Sequence, residues 1–147
     1  MTASLYMKRA RELAEKAKAL GEVPVGAVVV KNGEIIGEGY NSRETRKNPL
    51  GHAEITAIES AAKKLTDWRL TDCDLYVTLE PCPMCAGAII GARISRVFYG
   101  AFDNKAGSFG SLTDLSALPY ETVPEIHAGI GEDACKKQLT DFFKRLR

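Results

Sequence analysis

The sequence lacks several features of membrane and secreted proteins. No apolar run among its 147 residues approaches the roughly 20 residues that span a bilayer. The opening segment MTASLYMKRARELAEKAK is rich in charge and has no apolar core of the kind found in signal peptides. We therefore expect a cytoplasmic protein that makes no contact with a membrane.

An excess of charge of one sign is also missing, because the net charge is only +1. A charge of this size does not by itself indicate a polyanionic partner. Basic side chains are nevertheless concentrated in RETRK at 43–47 and in KKQLTDFFKRLR at 136–147. Both segments are compatible with phosphate contacts and equally with an ordinary solvated surface.

Repeats, linkers and low-complexity segments are absent as well, and 45% of the residues are hydrophobic. A chain of about 150 residues buries roughly 70% of the surface that it exposes when unfolded, so it needs no disulfide to hold a core. We expect a single domain over residues 1–147.

Hydrophobic periodicity predicts alternating helices and strands. Helices are expected at 4–20, 52–65, 83–92 and 132–146, with a short one at 112–118. Strands are expected at 23–30, 34–40, 75–79, 97–100 and 125–130, and an Asn32-Gly33 turn joins the first two into a hairpin. This order predicts an α/β fold with three layers, α/β/α, around a central mixed sheet of about five strands.

One of only two histidines belongs to a pattern that is typical of a metal site. HAE at 52–54 is followed, further along the chain, by PCPMC at 81–85. Cys82 and Cys85 would share one face of a first helical turn, where the helix dipole favours thiolates. Together with His52 they offer three ligands to a tetrahedral zinc ion and leave a fourth position open, as in catalytic zinc sites.

Glu54 is the candidate for proton transfer beside such a metal. Water on zinc ionises near neutral pH, and a neighbouring carboxylate can take up the proton and deliver it to a leaving group. Inside a helix, residues 52 and 54 would point about 200° apart. At a junction between a loop and a helix the backbone need not follow that period, so both side chains can reach one site.

Two other interpretations of the cysteines are open at this point. CPMC between a strand and a helix is also typical of thioredoxin-like disulfide oxidoreductases, in which HAE would have no role. A binding module with structural zinc would need a fourth ligand, for which Cys73 and Cys135 are the candidates. The metal content of the purified protein distinguishes the redox hypothesis from the others.

HAE followed by PCxxC is the signature of the cytidine-deaminase-like zinc deaminases, and the chain resembles this family over most of its length. Within the family it resembles the tRNA adenosine deaminases, which convert the wobble adenosine to inosine. The matching segments are GEVPVGAVVV, GHAEITAIESAAKKL, WRL, LYVTLEPCPMCAGAII, ARISRVFYGAFDNKAGSFGS and DFFKRLR. The resemblance implies a cytidine-deaminase-like fold, hydrolytic deamination, the tRNA anticodon loop as partner and a homodimer.

The resemblance also implies roles for single residues. His52, Cys82 and Cys85 would hold one Zn²⁺ per chain, Glu54 would shuttle protons, and Asn41 would hydrogen-bond to the target base. The other implied substrate contacts are the pocket walls Val25 and Leu79, the backbone N–H groups near Ala53 and Cys82, and the backbone-approaching loop residues Asp103 and Lys105.

One segment departs from the pattern of the tRNA enzymes. They usually carry Asn-His and a basic residue shortly before the last strand, where this chain has Glu121-Thr122-Val123. A carboxylate there would repel phosphate. A free purine base or another small aminated heterocycle, as in a guanine-deaminase-like paralogue, is therefore the alternative substrate.

Overall fold

The computed structural model describes residues 2–146, which form one five-stranded sheet flanked by helices. The strands are β1 (Gly26–Lys31), β2 (Glu34–Tyr40), β3 (Asp74–Leu79), β4 (Arg96–Ala101) and β5 (Glu125–Ala128). The helices are α1 (Ala3–Ala19), α2 (Ala53–Leu65), α3 (Pro83–Gly91) and α4 (Glu132–Arg145). The sheet has the order β2-β1-β3-β4-β5, in which β1 is antiparallel to both neighbours and the pairs β3–β4 and β4–β5 are parallel.

The two faces of the sheet carry different helices. Side chains alternate along a strand, so Val28 and Val30 of β1 pack in a cluster with α1 and with Cys135 of α4. Ala27 and Val29 belong to the opposite cluster, which includes buried residues of α2 and α3. The predicted three-layer α/β/α fold with a mixed sheet is thereby confirmed.

Two glycines in β2 allow α2 to lie directly on the sheet. A Cβ at Gly37 would lie 2.4 Å from the carbonyl oxygen of Ala57, and one at Gly39 would lie 2.3 Å from that of Ala53. No side chain fits at these separations. The glycines therefore set the height of α2 above the sheet, and with it the position of the residues at the start of the helix.

Several element boundaries differ from the sequence prediction. The hairpin is confirmed, with positive φ angles of 51° at Asn32 and 76° at Gly33. The first strand begins at Gly26 instead of 23, because the N–H of Val25 turns back to the Val23 carbonyl. The predicted helix at 112–118 is only a 3-10 turn, Leu115–Ala117, and the last strand ends before Gly129, whose φ is 78°.

None of the helices within residues 2–146 is long and apolar enough to cross a membrane.

Candidate active site

The residues of the HAE and PCPMC motifs meet where the N-termini of α2 and α3 come together. His52 is the N-cap of α2, with φ −91° and ψ 149°, and Cys82 is the N-cap of α3, with φ −75° and ψ 174°. Both are extended, and Pro83 begins α3 at a position where a missing N–H has no cost. Because His52 precedes the helix, its side chain and that of Glu54 line the same cleft.

The ligand atoms are spaced as a zinc ion requires. Nδ1 of His52 lies 3.6 Å from Sγ of Cys82 and 3.5 Å from Sγ of Cys85. Tetrahedral zinc, with Zn–S of about 2.3 Å and Zn–N of about 2.0–2.1 Å, separates such atoms by about 3.6 Å. Within residues 2–146, these three residues form the group that could hold a metal, whereas Cys73 and Cys135 lie in the hydrophobic core. The donor set and its spacing therefore fit Zn²⁺.

Hydrogen bonds between these groups stabilise one thiolate. A hydrogen bond from the Cys85 thiol lowers the pKa of Cys82 to about 4 against the effect of burial, and His52 adds a further hydrogen bond. The hydrogen bond between His52 and Cys82 also raises the pKa of His52. The pKa of Cys85 is raised because its thiol donates to Cys82. A divalent cation favours ionisation of both thiols. The electrostatics of the site therefore suit a divalent cation.

Glu54 is a buried carboxyl group that lines the cleft. Its exposed fraction is 4%, and burial raises its pKa to about 7. It does not belong to the group of three residues that could hold a metal. A carboxyl group of this kind, which lines the cleft and lies outside the candidate ligand group, can accept and return a proton.

The cleft has a volume of about 400 Å³, within the range of small-ligand sites. The predicted residues that line it are His52, Glu54, Cys82, Val25, Asn41, Leu79 and Asp103. Lys105 is predicted as a contact but is exposed and outside this lining. Ala53 and Cys85 are fully buried and are not among the lining residues.

Asn41 joins two parts of the site through both ends of its amide. Its Oδ1 accepts a hydrogen bond from the N–H of Ala53 at 3.0 Å, and its Nδ2 donates to the Val23 carbonyl at 3.1 Å. An amide can make further bonds, since one N–H and one lone pair remain. Asn41 therefore fixes the start of α2, and its remaining polar capacity borders the cleft.

The structure adds lining residues from the two basic segments, 43–47 and 136–147, that are not among the predicted substrate contacts. The lining includes Phe142 and Phe143 of α4 together with Leu146. The sequence signal for them is the presence of apolar and aromatic residues among the basic side chains of KKQLTDFFKRLR. Arg43, from the basic segment at 43–47, also lines the cleft. One wall is therefore aromatic and apolar, and the rim carries a cation.

Two buried carboxylates, Glu22 and Glu80, are further cleft residues that were not predicted from the sequence. They are 3% and 2% exposed, and both border the cleft. Burial raises the pKa of Glu22, but hydrogen bonds from Thr45 and Glu44 outweigh it and hold that pKa below its ordinary value. An acid next to an apolar segment, as in GEVPVG and TLEPC, marks both positions in the sequence but does not show that the carboxylates are buried.

A larger depression of about 870 Å³ lies beside the exposed side of α2, near Trp68. It is more open to solvent and contains none of the residues of the metal group. Size alone therefore does not identify the site, and the chemistry lies in the smaller cleft.

Comparisons with known proteins agree with this site. Residues 1–147 match the family model of the MafB19-like deaminases. The tRNA-specific adenosine deaminase of Bacillus subtilis is 48% identical over 144 residues, which cover 97% of this chain and 89% of that protein. The corresponding protein of Streptococcus pyogenes is 49% identical over 145 residues, covering 97% and 84%.

Solved structures give the same result for the fold. A chain from studies of A-to-I editing by tRNA:A34 deaminases superposes with a TM-score of 0.88 at 39% identity, covering 91% of this chain and 98% of that one. Guanine deaminase from Bacillus subtilis, also 39% identical, has a TM-score of 0.68 and coverages of 96% and 94%. The motifs, the geometry and the full-length similarity together show that this chain belongs to the cytidine-deaminase-like deaminase family that includes the tRNA-specific adenosine deaminases.

Proposed function

We propose that this protein deaminates adenosine to inosine at the wobble position of a tRNA anticodon. The observation that supports this most strongly is a near-full-length similarity to tRNA-specific adenosine deaminases combined with a complete histidine–glutamate–dicysteine site at one cleft. The reaction consumes one water and releases ammonia, so the site needs a nucleophile and a group that moves protons.

The proposed cofactor is one Zn²⁺ ion per chain, held by His52, Cys82 and Cys85. Zinc with an open coordination position makes water a competent nucleophile near neutral pH. Glu54 would take a proton from the attacking water and deliver protons to the ring and to the departing amine. This role rests on its position at the cleft without being one of the ligand residues.

The other side chains of the cleft would hold the base and its flanking nucleotides. Val25 and Leu79 offer apolar contacts, and the free N–H and lone pair of Asn41 suit the polar edge of a purine. Asp103 borders the same cleft, and the exposed Lys105 two residues later would reach the phosphate backbone. Ala53 would act indirectly, since its N–H is engaged by Asn41.

A free purine base is the second candidate substrate. It is supported by the 39% identity to a guanine deaminase and by Glu121-Thr122-Val123, which puts a carboxylate into the segment where the tRNA enzymes carry Asn-His and a basic residue. Residues 121–123 are exposed and do not line the cleft. Glu121 would therefore weaken a contact to flanking phosphate without affecting the base in the pocket.

A homodimer in the cytoplasm is the assembly that we propose. The exposed side of α3 carries Gly87 and Gly91, where an added Cβ would meet no atom beyond the backbone of its own helix within 4 Å. Small residues allow two backbones to approach closely, so this side could contact a second copy. Sedimentation of the purified protein tests the assembly, and a monomer at micromolar concentration would contradict it.

A substrate comparison tests the proposed function. The zinc-loaded protein is offered an anticodon stem-loop with adenosine at the wobble position, and in parallel adenine, guanine, cytosine and their nucleosides. We expect inosine in the stem-loop, with a rate that falls as salt rises, because phosphate contacts release counterions. Turnover of a free base, with none on the RNA, would contradict the tRNA proposal and favour the second candidate.

A further inference from the structure

The segment that follows β4 borders the cleft directly. Residues 102–111, called here the 102–111 loop, contribute Asp103 and Ala106 to its lining. The Asp103 carboxylate accepts hydrogen bonds from the N–H groups of Lys105 and Ala106 at 3.0 Å and 3.2 Å. Asp103 thus shapes the start of the loop, and the position of Lys105 depends on that of Asp103.

Glu80 is the group to which this loop is attached. Its Oε1 accepts hydrogen bonds from the Asp103 N–H at 3.1 Å and from the Ser111 hydroxyl. Its Oε2 accepts from the N–H groups of Phe109 at 3.2 Å and Ser111 at 3.0 Å. One buried carboxylate therefore binds the beginning and the end of the loop at the same time.

The loop also packs closely against this carboxyl group. A Cβ at Gly107 would lie 2.4 Å from Cδ of Glu80 and 2.4 Å from the carbonyl oxygen of Asp103. The N–H of Ser108 donates to the carbonyl of Pro81, next to Cys82, at 2.9 Å. The loop is consequently held against the segment that carries the first cysteine ligand, with Glu80 between them.

We propose that Glu80 is a positioning residue for substrate binding, which acts by holding Asp103 and Lys105 at the mouth of the cleft. It touches neither the metal group nor, in this proposal, the substrate. The binding effect rests on the RNA substrate proposed above. The attachment of the loop to Glu80 is independent of which substrate is bound.

Glu80→Gln removes the acidic group of the side chain and keeps its size and shape. The new amide fits best with its NH₂ group at the Oε1 position, where the Ser111 hydroxyl can rotate to accept. The Asp103 N–H then faces another donor and loses its partner. The oxygen can still serve Phe109 and Ser111, so the release is confined to the Asp103 end of the loop.

Gly107→Ala disturbs the same contact from the loop side and leaves the segment next to the cysteines unchanged in sequence. Its new methyl group forces the loop away from Glu80. Glu59→Gln makes the same chemical change as Glu80→Gln on the exposed side of α2 and serves as the control. If Glu80→Gln does not fold, Gly107→Ala still tests the proposal.

The test measures zinc content, steady-state kinetics on the anticodon stem-loop, and hydrogen exchange at individual amides. For both variants we expect unchanged zinc, a KM about tenfold higher with kcat within about twofold of wild type, and faster exchange at the Asp103 amide; tenfold corresponds to about 1.4 kcal/mol. In a Lys105→Ala background the effect of Glu80→Gln on KM should shrink, because both changes remove the same contact. Glu59→Gln should match the wild type.

Three results would overturn the proposal: an unchanged KM in folded, zinc-loaded variants, a loss confined to kcat, or fully additive effects of Glu80→Gln and Lys105→Ala. If the wild type converts a free base and not RNA, the proposed function fails by that result alone. Hydrogen exchange at the Asp103 amide then decides whether Glu80 holds the loop. If this amide is as protected from exchange in both variants as in the wild type, the attachment of the loop to Glu80 is refuted.

Discussion

Asn41→Ala should affect stability as well as turnover, because the side chain joins two backbone segments. The substitution leaves the N–H of Ala53, a residue with 0% exposure, without its acceptor. It also removes the bond to the Val23 carbonyl. The N–H of Ala53 lies in the first turn of α2, directly after His52, the proposed metal ligand.

The magnitude follows from these two bonds. An unpaired buried donor costs about 1–3 kcal/mol, and an ordinary hydrogen bond contributes about 0.5–1.5 kcal/mol. Val23 is only partly buried, so water replaces most of the second bond. We expect the free energy of unfolding to fall by about 2 kcal/mol, which is a factor of about thirty in the unfolding equilibrium.

Urea denaturation at a fixed excess of zinc measures this change, since bound metal itself stabilises the folded state. Asn41→Asp is the matched variant. It keeps an acceptor for Ala53 and places a negative charge at the N-terminus of α2, which is favourable, but it cannot donate to Val23. The loss should therefore be smaller for Asn41→Asp than for Asn41→Ala. A loss below about 0.5 kcal/mol for Asn41→Ala, or the reverse order, would refute the bridging role.

Four further substitutions test other parts of the structure. Glu54→Gln should keep zinc, measured by atomic absorption, while turnover falls at least about 10²–10⁴-fold; a wild-type rate would exclude proton transfer by this residue. Cys85→Ala should lose the metal and lower the melting temperature, and retention of stoichiometric zinc would contradict the ligand set. Gly37→Ala should destabilise by about 1–3 kcal/mol in urea, because its Cβ meets α2, and an unchanged midpoint would contradict that contact. Glu22→Gln should lower stability most above pH 4.5, since the folded-state pKa of Glu22 lies below that value and its stabilisation is lost as the pH falls; a difference from wild type that does not shrink in acid would count against it.

Much of this architecture could be predicted because local rules and tertiary structure agree. Asn32-Gly33 predicts a hairpin on backbone grounds alone, and the structure has both residues at positive φ. Cys82 and Cys85 are three residues apart at the start of a helix, so their convergence needs no information from the rest of the chain. His52 is a candidate from the combined pattern of HAE and PCPMC, but its convergence with the cysteines depends on the tertiary fold that brings α2 and α3 together.

The groups that could not be predicted depend on contacts between distant segments. Glu80 binds a loop that begins more than 20 residues later, with Asp103 at a separation of 23, and no local pattern says that its carboxylate is buried and satisfied by backbone N–H groups. The hydrogen bonds of Asn41 to Val23 and Ala53 likewise depend on how the strands and α2 are placed. Lys105 is predicted as a contact from the family resemblance, and the structure places it outside the cleft lining.

The most direct test of the proposed function is deamination of the anticodon stem-loop in ¹⁸O-labelled water, followed by mass spectrometry of the isolated nucleosides. Hydrolysis at the cleft of His52, Glu54, Cys82 and Cys85 predicts inosine with one solvent-derived ¹⁸O at the wobble position. In a Glu54→Gln sample that contains equal zinc, it predicts labelled inosine reduced in proportion to the lost turnover. Unlabelled inosine, or equal conversion by the variant, would contradict hydrolytic deamination at this site.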